Sequence, residues 1–437
     1  MVSGTLDWRS SKCVRRVRGE RLGIGIESSN ELPESVQLKA WFGKRKSIPT
    51  KWEALRTLVE KSFDLLPLPI PKGPEPDWAK IAERCLQRLQ DKQLLITRSG
   101  VTGFVSMLQS GGSASDLTHE LMCNASIARS LLLAKDLPGL GNAGHLVRSL
   151  IEDVIPRFFR EELGVYVNDF PNKPTTDGVR DVVETWYALY NLYVVLQIAR
   201  WSNDQLLLYQ SRRCLDAFTK IVHELDYFLP MFLNLRSRTA YGAAQNPSCL
   251  GIYAAICVYA AGMYAAERRD LLEEAQRSLR ILRRFPIEAL YHESCQLSLA
   301  ATAAHILSRD RDYESMLTWR DDFVRLLLMT MYRSAEHAGL FQACAGIMYP
   351  AFKENVEAVE SLSNFVGKCR LPLRDVLTLS LHNNLAYVQD TETNPTLPVE
   401  ALGTYEFPDA KSVGTAVYAI GHVLDMARLQ SRLASSR

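Results

Sequence analysis

The chain has 437 residues, of which 47% are hydrophobic, so it can bury a large core and is not intrinsically disordered overall. Charged residues make up 23%, and the formal net charge of +2 does not by itself indicate a nucleic-acid-binding protein. The N-terminus lacks the residue order of a signal peptide, and no apolar run approaches the ~20 residues that span a bilayer. We therefore expect a cytosolic or nuclear protein without a membrane partner.

The nine cysteines are odd in number, scattered along the chain and never spaced as CxxC. This usage predicts buried thiols in a reducing compartment and no disulfide framework.

Residues 1–50 contain ten Lys or Arg against five Asp or Glu, which predicts a basic, extended N-terminal arm. A first helix is predicted from Trp52 to Leu66. It must end there because prolines at 67, 69, 71, 74 and 76 do not continue a helix. The next helix is predicted from Trp78 to Gln93, with Asp77 as its cap.

Helical periodicity continues along the rest of the chain, and the breaks carry turn residues. The predicted helices are Asp116–Leu133, His145–Glu162, Asp177–Arg200, Asp204–Leu225, Ser248–Glu267, Leu271–Arg284, Glu293–Ser308, Tyr313–Ala335, Leu340–Lys353, Asn355–Gly367, Leu373–Tyr387 and Ser412–Leu433. The fold class is therefore predicted to be all-α.

Helices that combine small and aromatic residues recur in the chain. They occur at Trp186–Leu196, Ile252–Tyr264, Leu297–Ala304 and Ala416–Val423. Recurring helix pairs indicate solenoids or α/α toroids, but here the spacing is irregular and no signature is shared. A repeat array is therefore an alternative and not the main prediction.

Motifs for catalysis or metal binding are weak. Three His-Glu pairs occur, at residues 119–120, 223–224 and 292–293, but none has the second histidine of a metalloprotease helix. A sugar-active toroid enzyme would need two carboxyl groups in an aromatic cleft. Glu184 beside Trp186, or Asp226 beside Tyr227, could supply one, and nothing in the sequence pairs them. No catalytic residue, metal or cofactor is predicted.

Arginines cluster in the central part of the chain. Their planar guanidinium groups suit them to bind phosphate oxygens. The candidates are Arg212, Arg213, Arg236, Arg238 with Tyr241, Arg268, Arg269, Arg277, Arg280 and Arg284. Nearby acidic residues could instead pair with several of them on an ordinary helix surface.

Three motifs follow one another in the last third of the chain. They are Glu336–Leu340 (EHAGL), Gly346–Ala351 (GIMYPA) and Gly403–Pro408 (GTYEFP), and a helix of small residues is predicted to follow from Ser412. This series resembles the C-terminal lobe of nucleoproteins from non-segmented negative-strand RNA viruses. No long tail follows Leu433, which favours a layout like that of bornaviruses, nyamiviruses or rhabdoviruses over that of paramyxoviruses.

The resemblance implies two helical lobes that flank an RNA groove. The corresponding divisions are residues 1–50 as an arm, 51–240 and 241–425 as the two lobes, and 426–437 as a short C-terminal arm. The implied protein catalyses nothing. It polymerises through its arms on single-stranded viral RNA and binds the phosphates regardless of the RNA sequence. Its further partners are the viral phosphoprotein and polymerase. Its location is the virion and the host cytoplasm or nucleus. Besides the arginines, its implied RNA contacts are Tyr349, Lys353, Tyr405, Lys411 and Ser412. The alternatives are an α/α toroid sugar-active enzyme, either a hydrolase or an epimerase, and a helical scaffold.

Overall fold

The structure, a computed structural model, is described for most residues from 51 to 435. The described ranges are 51–65, 67–89, 94–108, 119–134, 143–170, 178–265, 267–290, 293–309, 313–333, 337–342, 351–388 and 415–435. Predictions that fall outside these ranges, including the N-terminal arm, lie outside the described residues.

Helices make up most of the described chain, so the predicted all-α class is consistent with the structure. In chain order they are α1 (Trp52–Leu65), α2 (Trp78–Arg88), α3 (Leu121–Leu133), α4 (Gly144–Ser149), α5 (Thr185–Ser202), α6 (Gln205–Glu224), α7 (Cys249–Met263), α8 (Asp270–Leu282), α9 (Ile287–Leu290), α10 (Ser294–Leu307), α11 (Tyr313–Met329), α12 (Phe352–Ser363), α13 (Leu373–Asn383) and α14 (Tyr418–Ser435). Helix α4 continues into a π-helical turn (Leu150–Val154) and a 3₁₀ turn (Ile155–Phe158).

Six helices form a closed ring, hereafter the inner ring. Helix α3 packs on α5, and the series continues through α7, α10 and α12 to α14, which packs back on α3. A second layer surrounds the ring, because α2, the α4 segment, α6, α8, α11 and α13 each pack on an inner helix. The chain alternates between the two layers, which is the architecture of an α/α toroid.

The residue pattern explains which helices lie inside. Helix α7 is apolar on all sides, as expected for a helix with neighbours all around it. Its Gly251 permits close contact with α10, since a Cβ there would lie 2.7 Å from the Cβ of Ala300. The outer helices α6 and α8 are amphipathic and bury one side only.

The strands are short and lie in the connections between helices. They are β1 (Leu95–Arg98), β2 (Val101–Phe104), β3 (Met107–Leu108), β4 (His119–Glu120), β5 (Phe159–Arg160), β6 (Val165–Tyr166), β7 (Asp169–Phe170), β8 (Val182–Glu184), β9 (Phe232–Asn234), β10 (Thr239–Ala240) and β11 (Thr415–Ala416). The central strand β9 pairs antiparallel with β8 and β10, and the other pairs are β1–β2, β3–β11, β4–β7 and β5–β6.

Connections are long where the chain enters an inner helix and short where it leaves one. Residues 225–248 precede α7, whereas only Asn203 and Asp204 separate α5 from α6. Asn203 adopts a left-handed conformation (φ 54°) that ends α5, and the Asp204 carboxylate accepts a hydrogen bond from the Leu207 amide at 2.8 Å to start α6.

Helix α1 lies outside the two layers and is attached by ion pairs. Arg56 contacts the fully buried Asp322 of α11 with two hydrogen bonds of 2.7 and 2.8 Å. Arg283 donates to the same carboxylate at 2.8 Å, and its guanidinium lies 4.2 Å from the Trp52 ring centroid.

Several predicted boundaries are wrong. The segment from residue 182 forms β8 and not the start of a helix, so α5 begins at Thr185. Leu340–Gln342 is not helical, because Phe341 forms a β-bridge with Met331. The last helix begins at Tyr418, after β11, and not at Ser412.

The two lobes around an RNA groove are not supported. Helices from both sides of residue 240 close one ring around one continuous hydrophobic core. The division of the chain at that residue stays a prediction. None of the described helices is both long and apolar enough to span a bilayer.

Candidate active site

Glutamates lie at the N-terminal end of three inner helices, in the residue just before each helix. Glu120 precedes α3, Glu184 precedes α5 and Glu293 precedes α10, each with an extended backbone. The pKa of the Tyr187 hydroxyl is raised, first by burial and then by Glu184, Glu354, Glu293 and Glu120. These carboxyl groups therefore converge at one end of the ring, hereafter the ring mouth.

Helix α12 places a buried lysine in the ring mouth. The Lys353 ammonium lies 3.4 Å from a carboxylate oxygen of Glu354 and 3.3 Å from one of Glu357. Its Nζ is also 4.4 Å from the ring centroid of Trp186 and 5.4 Å from that of Tyr190. Two carboxylates and two aromatic faces together compensate the cost of burying this charge.

His422 on α14 completes this group. Its Nε2 lies 3.2 Å from Glu357 and its Nδ1 lies 3.1 Å from the carbonyl oxygen of Tyr418. Both ring nitrogens thus face oxygen atoms of neighbouring groups. The buried Glu357 therefore lies between the Lys353 ammonium and the His422 imidazole.

The environments of the glutamates separate their pKa values. Burial raises the pKa of Glu184 to about 7, although the positive charge of Lys353 opposes the shift. Burial, followed by the charge of Glu354, raises the pKa of Glu293 well above its usual range. For Glu357 burial acts in the same direction, but Lys353 and His422 outweigh it and lower the pKa to about 2. The ring mouth therefore holds protonated and ionised carboxyl groups together at neutral pH.

This arrangement suits proton transfer. The half-buried Glu184 can donate or accept a proton near neutral pH, and the adjacent Tyr187 is also half-buried. Among the described residues, no group of three His, Cys, Asp or Glu side chains is placed to hold a metal ion. The site is thus built from carboxyl, ammonium, imidazole and aromatic groups.

A second polar network lies further along the inner ring, toward the C-terminal ends of its helices. Arg129 contacts Glu360 at 2.7 Å and Asp425 at 3.3 Å. Arg428 contacts the same two carboxylates, at 3.2 Å for Asp425. This network borders a cavity of about 180 Å³.

The predicted RNA-binding arginines lie mostly on the outer layer, in ion pairs. The pairs are Arg212 with Glu267 (3.1 Å), Arg213 with Glu161, Arg236 with Asp181 (2.7 Å), Arg238 with Glu224 (2.8 Å) and Arg268 with Asp216 (2.7 Å). Arg277 contacts Tyr227, Arg280 is on α8, and Arg269 and Arg284 flank that helix. The Tyr241 amide donates to the Phe232 carbonyl oxygen.

The other predicted contacts separate into two sets. Lys353 is buried in the ring mouth, away from the arginines of the outer layer. Tyr349, Tyr405, Lys411 and Ser412 lie outside the described residues. Among the described members of the set, Lys353 thus lies apart from the arginines, and the assignment of the individual residues is not tested.

Sequence reasoning identified one residue of the ring mouth as a possible carboxyl group of a sugar enzyme, namely Glu184. It offered Asp226 equally, which lies in the turn after α6 with a positive φ of 49°. It missed Glu293, Glu357 and His422. A glutamate directly before an apolar helix, repeated at residues 120, 184 and 293, was the available signal.

Neither a protein-family model nor a curated protein matches this chain. Solved structures do match its fold. A D-mannose isomerase has a TM-score of 0.59 at 9% identity, with 82% of this chain and 100% of that chain covered. The cellobiose 2-epimerase from Spirochaeta thermophila has a TM-score of 0.54 at 12% identity, with 88% and 100% covered. The GH76A α-1,6-mannanase from Salegentibacter sp. has a TM-score of 0.53 at 12% identity, with 82% and 100% covered.

These similarities correct the main prediction. The fold is shared with sugar isomerases, sugar epimerases and glycoside hydrolases, so the prediction of a viral nucleoprotein is wrong. The predictions of a non-enzymatic protein and of RNA, phosphoprotein and polymerase as partners are wrong for the same reason. Three short motifs in order did not identify a fold, because each is common and together they cover only a fraction of the chain.

Proposed function

We propose that this protein is a sugar-active enzyme whose active site is the ring mouth and whose proton donor is Glu184. One observation carries the proposal: a half-buried carboxyl group with a pKa of about 7 lies beside aromatic side chains, where charged groups from several inner helices meet. The fold supports it, because solved structures with the same fold are described as sugar isomerases, sugar epimerases and a mannanase.

The chemistry follows from the unequal environments of the carboxyl groups. Cleavage of a glycosidic bond needs an acid that protonates the leaving oxygen, and isomerisation of a sugar needs a group that transfers a proton. Burial keeps a large share of Glu184 protonated at neutral pH, so it can supply that proton. The half-buried Tyr187, backed by the buried Trp186, provides the aromatic surface against which a sugar ring packs.

Lys353 and Glu357 have supporting roles in this proposal. The ammonium of Lys353 limits how far the pKa of Glu184 rises, which keeps the group near neutrality. Glu357 stays ionised and fixes both Lys353 and His422 through contacts of 3.3 and 3.2 Å. These contacts hold the Lys353 ammonium and the His422 imidazole in place while Glu184 exchanges its proton.

The test is an activity screen with two readouts. Reducing mono- and disaccharides are incubated with the protein in D₂O, and NMR detects deuterium at carbon or a new sugar. Mannans and other glycans are incubated in parallel, and new reducing ends are measured. Activity in either arm supports the proposal and defines the reaction. Its absence across both arms, with folded protein, contradicts it.

Two variants locate the active group. Glu184→Gln should lower the rate by about 10²–10⁴-fold, the usual contribution of a general acid, without unfolding the protein. Asp226→Asn is the matched control, because Asp226 lies in the turn after α6 and not in the ring mouth. Equal activity of the wild-type protein and Glu184→Gln would refute the assignment of Glu184.

A further inference from the structure

The glutamates of the ring mouth differ in how far they are buried. The half-buried ones are Glu120, Glu184, Glu293 and Glu354. The Glu357 side chain, in contrast, is 5% exposed, and Lys353 and His422 already contact its carboxylate. A carboxyl group that touches a substrate in the ring mouth therefore comes from the half-buried set.

Glu184 and Glu354 are the members of this set that act most strongly on the aromatic surface of the ring mouth. Burial is the first cause of the raised pKa of the Tyr187 hydroxyl, and Glu184 and Glu354 follow, ahead of Glu293 and Glu120. The effect of a charge decreases with distance. This order indicates that Glu184 and Glu354 lie nearer to Tyr187, against which the sugar ring packs in the proposed function, than the other two glutamates do.

Glu354 forms an ion pair with Lys353. The Lys353 Nζ lies 3.4 Å from a carboxylate oxygen of Glu354. Burial by itself would lower the pKa of Lys353, but the Glu357 and Glu354 carboxylates outweigh burial and raise that pKa. The lysine is therefore positively charged, and an ammonium group at this distance favours the charged form of a carboxyl group. Glu354 thus faces the ring mouth as a carboxylate.

A neighbouring carboxyl group holds a proton instead. The hydroxyl of Ser294, the residue after Glu293, donates to the Glu354 carbonyl oxygen at 3.2 Å, which brings the two glutamates together. Burial, followed by the charge of Glu354, raises the pKa of Glu293 well above its usual range. Two adjacent carboxyl groups do not both ionise readily, and the ammonium contact belongs to Glu354. Glu354 is therefore the proton acceptor of this pair.

We infer that Glu354 is the general base of the ring mouth and complements Glu184 as the acid. The inference rests on the proposed function, because both reactions considered there need a base as well as an acid. The unequal environments of the two glutamates suit these roles: burial keeps Glu184 largely protonated, whereas Lys353 stabilises the negative charge of Glu354.

In isomerisation of a sugar, Glu354 takes the proton from the carbon next to the carbonyl group. The electron pair of that C–H bond forms the C=C bond of an enediol, and the carbonyl oxygen takes the proton of Glu184. Return of a proton from Glu354 to the former carbonyl carbon, with return of the hydroxyl proton of the neighbouring carbon to Glu184, gives the isomer.

In hydrolysis, Glu354 takes a proton from water while the water oxygen bonds to the anomeric carbon. The glycosidic C–O bond breaks, its electron pair stays on the leaving oxygen, and that oxygen takes the proton of Glu184. Exchange of one proton with solvent at each glutamate then restores both groups.

Activity measurements on the full chain across pH test the inference. The kcat/KM of the wild-type protein should fall on the acidic side of its pH profile, where the base becomes protonated. Glu354→Gln should lower kcat by about 10²–10⁴-fold and lose this acidic limb. In Glu354→Ala, added formate should restore activity in proportion to its concentration, because a small carboxylate in the vacated space takes up the proton.

The matched control is Glu224, an outer-layer glutamate that pairs with Arg238 at 2.8 Å. Glu224→Gln should keep the wild-type kcat and pH profile, and formate should not change the activity of Glu224→Ala. If Glu354→Gln does not fold, Glu354→Asp keeps the negative charge beside Lys353. Its shorter side chain should lower kcat by about tenfold or more and retain the acidic limb, since catalysis depends on position.

The possible results separate this inference from the proposed function. Wild-type kcat in Glu354→Gln or Glu354→Asp, with activity lost in Glu184→Gln, would reject Glu354 as the base and leave the proposed enzyme standing. Loss of the acidic limb in Glu293→Gln, but not in Glu354→Gln, would assign the base to Glu293 and also overturn the inference. A reduced kcat in Glu354→Gln with an unchanged pH profile and no rescue by formate would show a structural role only. Absence of any activity in the wild-type protein would reject both.

Discussion

Replacing Lys353 with methionine removes a buried positive charge while keeping much of the apolar stem. The Lys353 side chain is 4% exposed, and its ammonium lies 3.3 Å from a carboxylate oxygen of Glu357. In Lys353→Met the Glu357 carboxylate keeps its contact with His422 but loses the lysine. A buried carboxylate with incomplete compensation destabilises the folded state.

The magnitude follows from the pKa of Glu357. The folded protein lowers this pKa from 4.5 to about 2, despite burial, through Lys353 and His422. That difference corresponds to about 3 kcal/mol of stability, in the range for breaking a buried ion pair. Because the folded pKa lies below the unfolded one, this stability is present above pH 4.5 and is lost as the pH falls toward 2.

We therefore expect Lys353→Met to reduce the free energy of unfolding by about 3 kcal/mol at neutral pH, and by much less at about pH 3. Urea titration followed by circular dichroism measures both values. Lys220→Met is the matched control, because Lys220 pairs with Glu224 at the same i,i+4 spacing but is 63% exposed. That control should cost less than about 1 kcal/mol.

Two results would refute this reasoning. One is a destabilisation by Lys353→Met that is the same at both pH values, since it would then reflect lost packing and not lost charge. The other is equal destabilisation by Lys353→Met and Lys220→Met, since burial would then have no effect on the ion pair.

Three further predictions concern catalysis, the attachment of α1 and the inner ring. The kcat/KM of the wild-type protein should fall as the pH rises through about 7. Burial raises the pKa of Glu184 to about 7, so above that pH the carboxyl group has lost the proton that it would donate. A flat pH profile would exclude Glu184 as the acid. Asp322→Asn should reduce the free energy of unfolding by about 3–5 kcal/mol, because Arg56 loses its buried partner. The same change should make α1 sensitive to limited proteolysis. Unchanged digestion would show that other contacts hold α1. Gly251→Ala should reduce the free energy of unfolding, measured by urea titration, by about 1–3 kcal/mol, because its Cβ would lie 2.7 Å from the Cβ of Ala300. Gly262 of the same helix is the control. A Cβ there meets nothing within 4 Å, so Gly262→Ala should not destabilise the protein.

Local signals predicted the outer helices well. Helix α6 was predicted from Asp204 to Leu225 and runs from Gln205 to Glu224, because the Asp204 cap and the amphipathic pattern are local properties. Local signals failed where the chain pairs with distant residues. Strand β8 forms through pairing with β9, and Phe341 is extended because it bridges to Met331.

The recurring helices of small and aromatic residues were the sequence feature that indicated the toroid. The four segments noted in the sequence lie largely in α5, α7, α10 and α14, which are four of the six helices of the inner ring. Small residues there permit close packing of one helix on the next, as Gly251 does against Ala300. Their irregular spacing hid the repeat, because connections of very different length enter the inner helices.

The sequence by itself determined that this protein is helical, with buried thiols at six of its seven described cysteines, because hydrophobic periodicity and residue type act over short distances. Only the tertiary structure decided that the helices close into a ring and that Glu184, Lys353 and His422 meet at its mouth. The pKa of Glu184 depends on that assembly, since burial and a lysine from another helix set it together. Burial and proximity between residues far apart in the chain arise only on folding, and they turn an ordinary glutamate into a candidate proton donor.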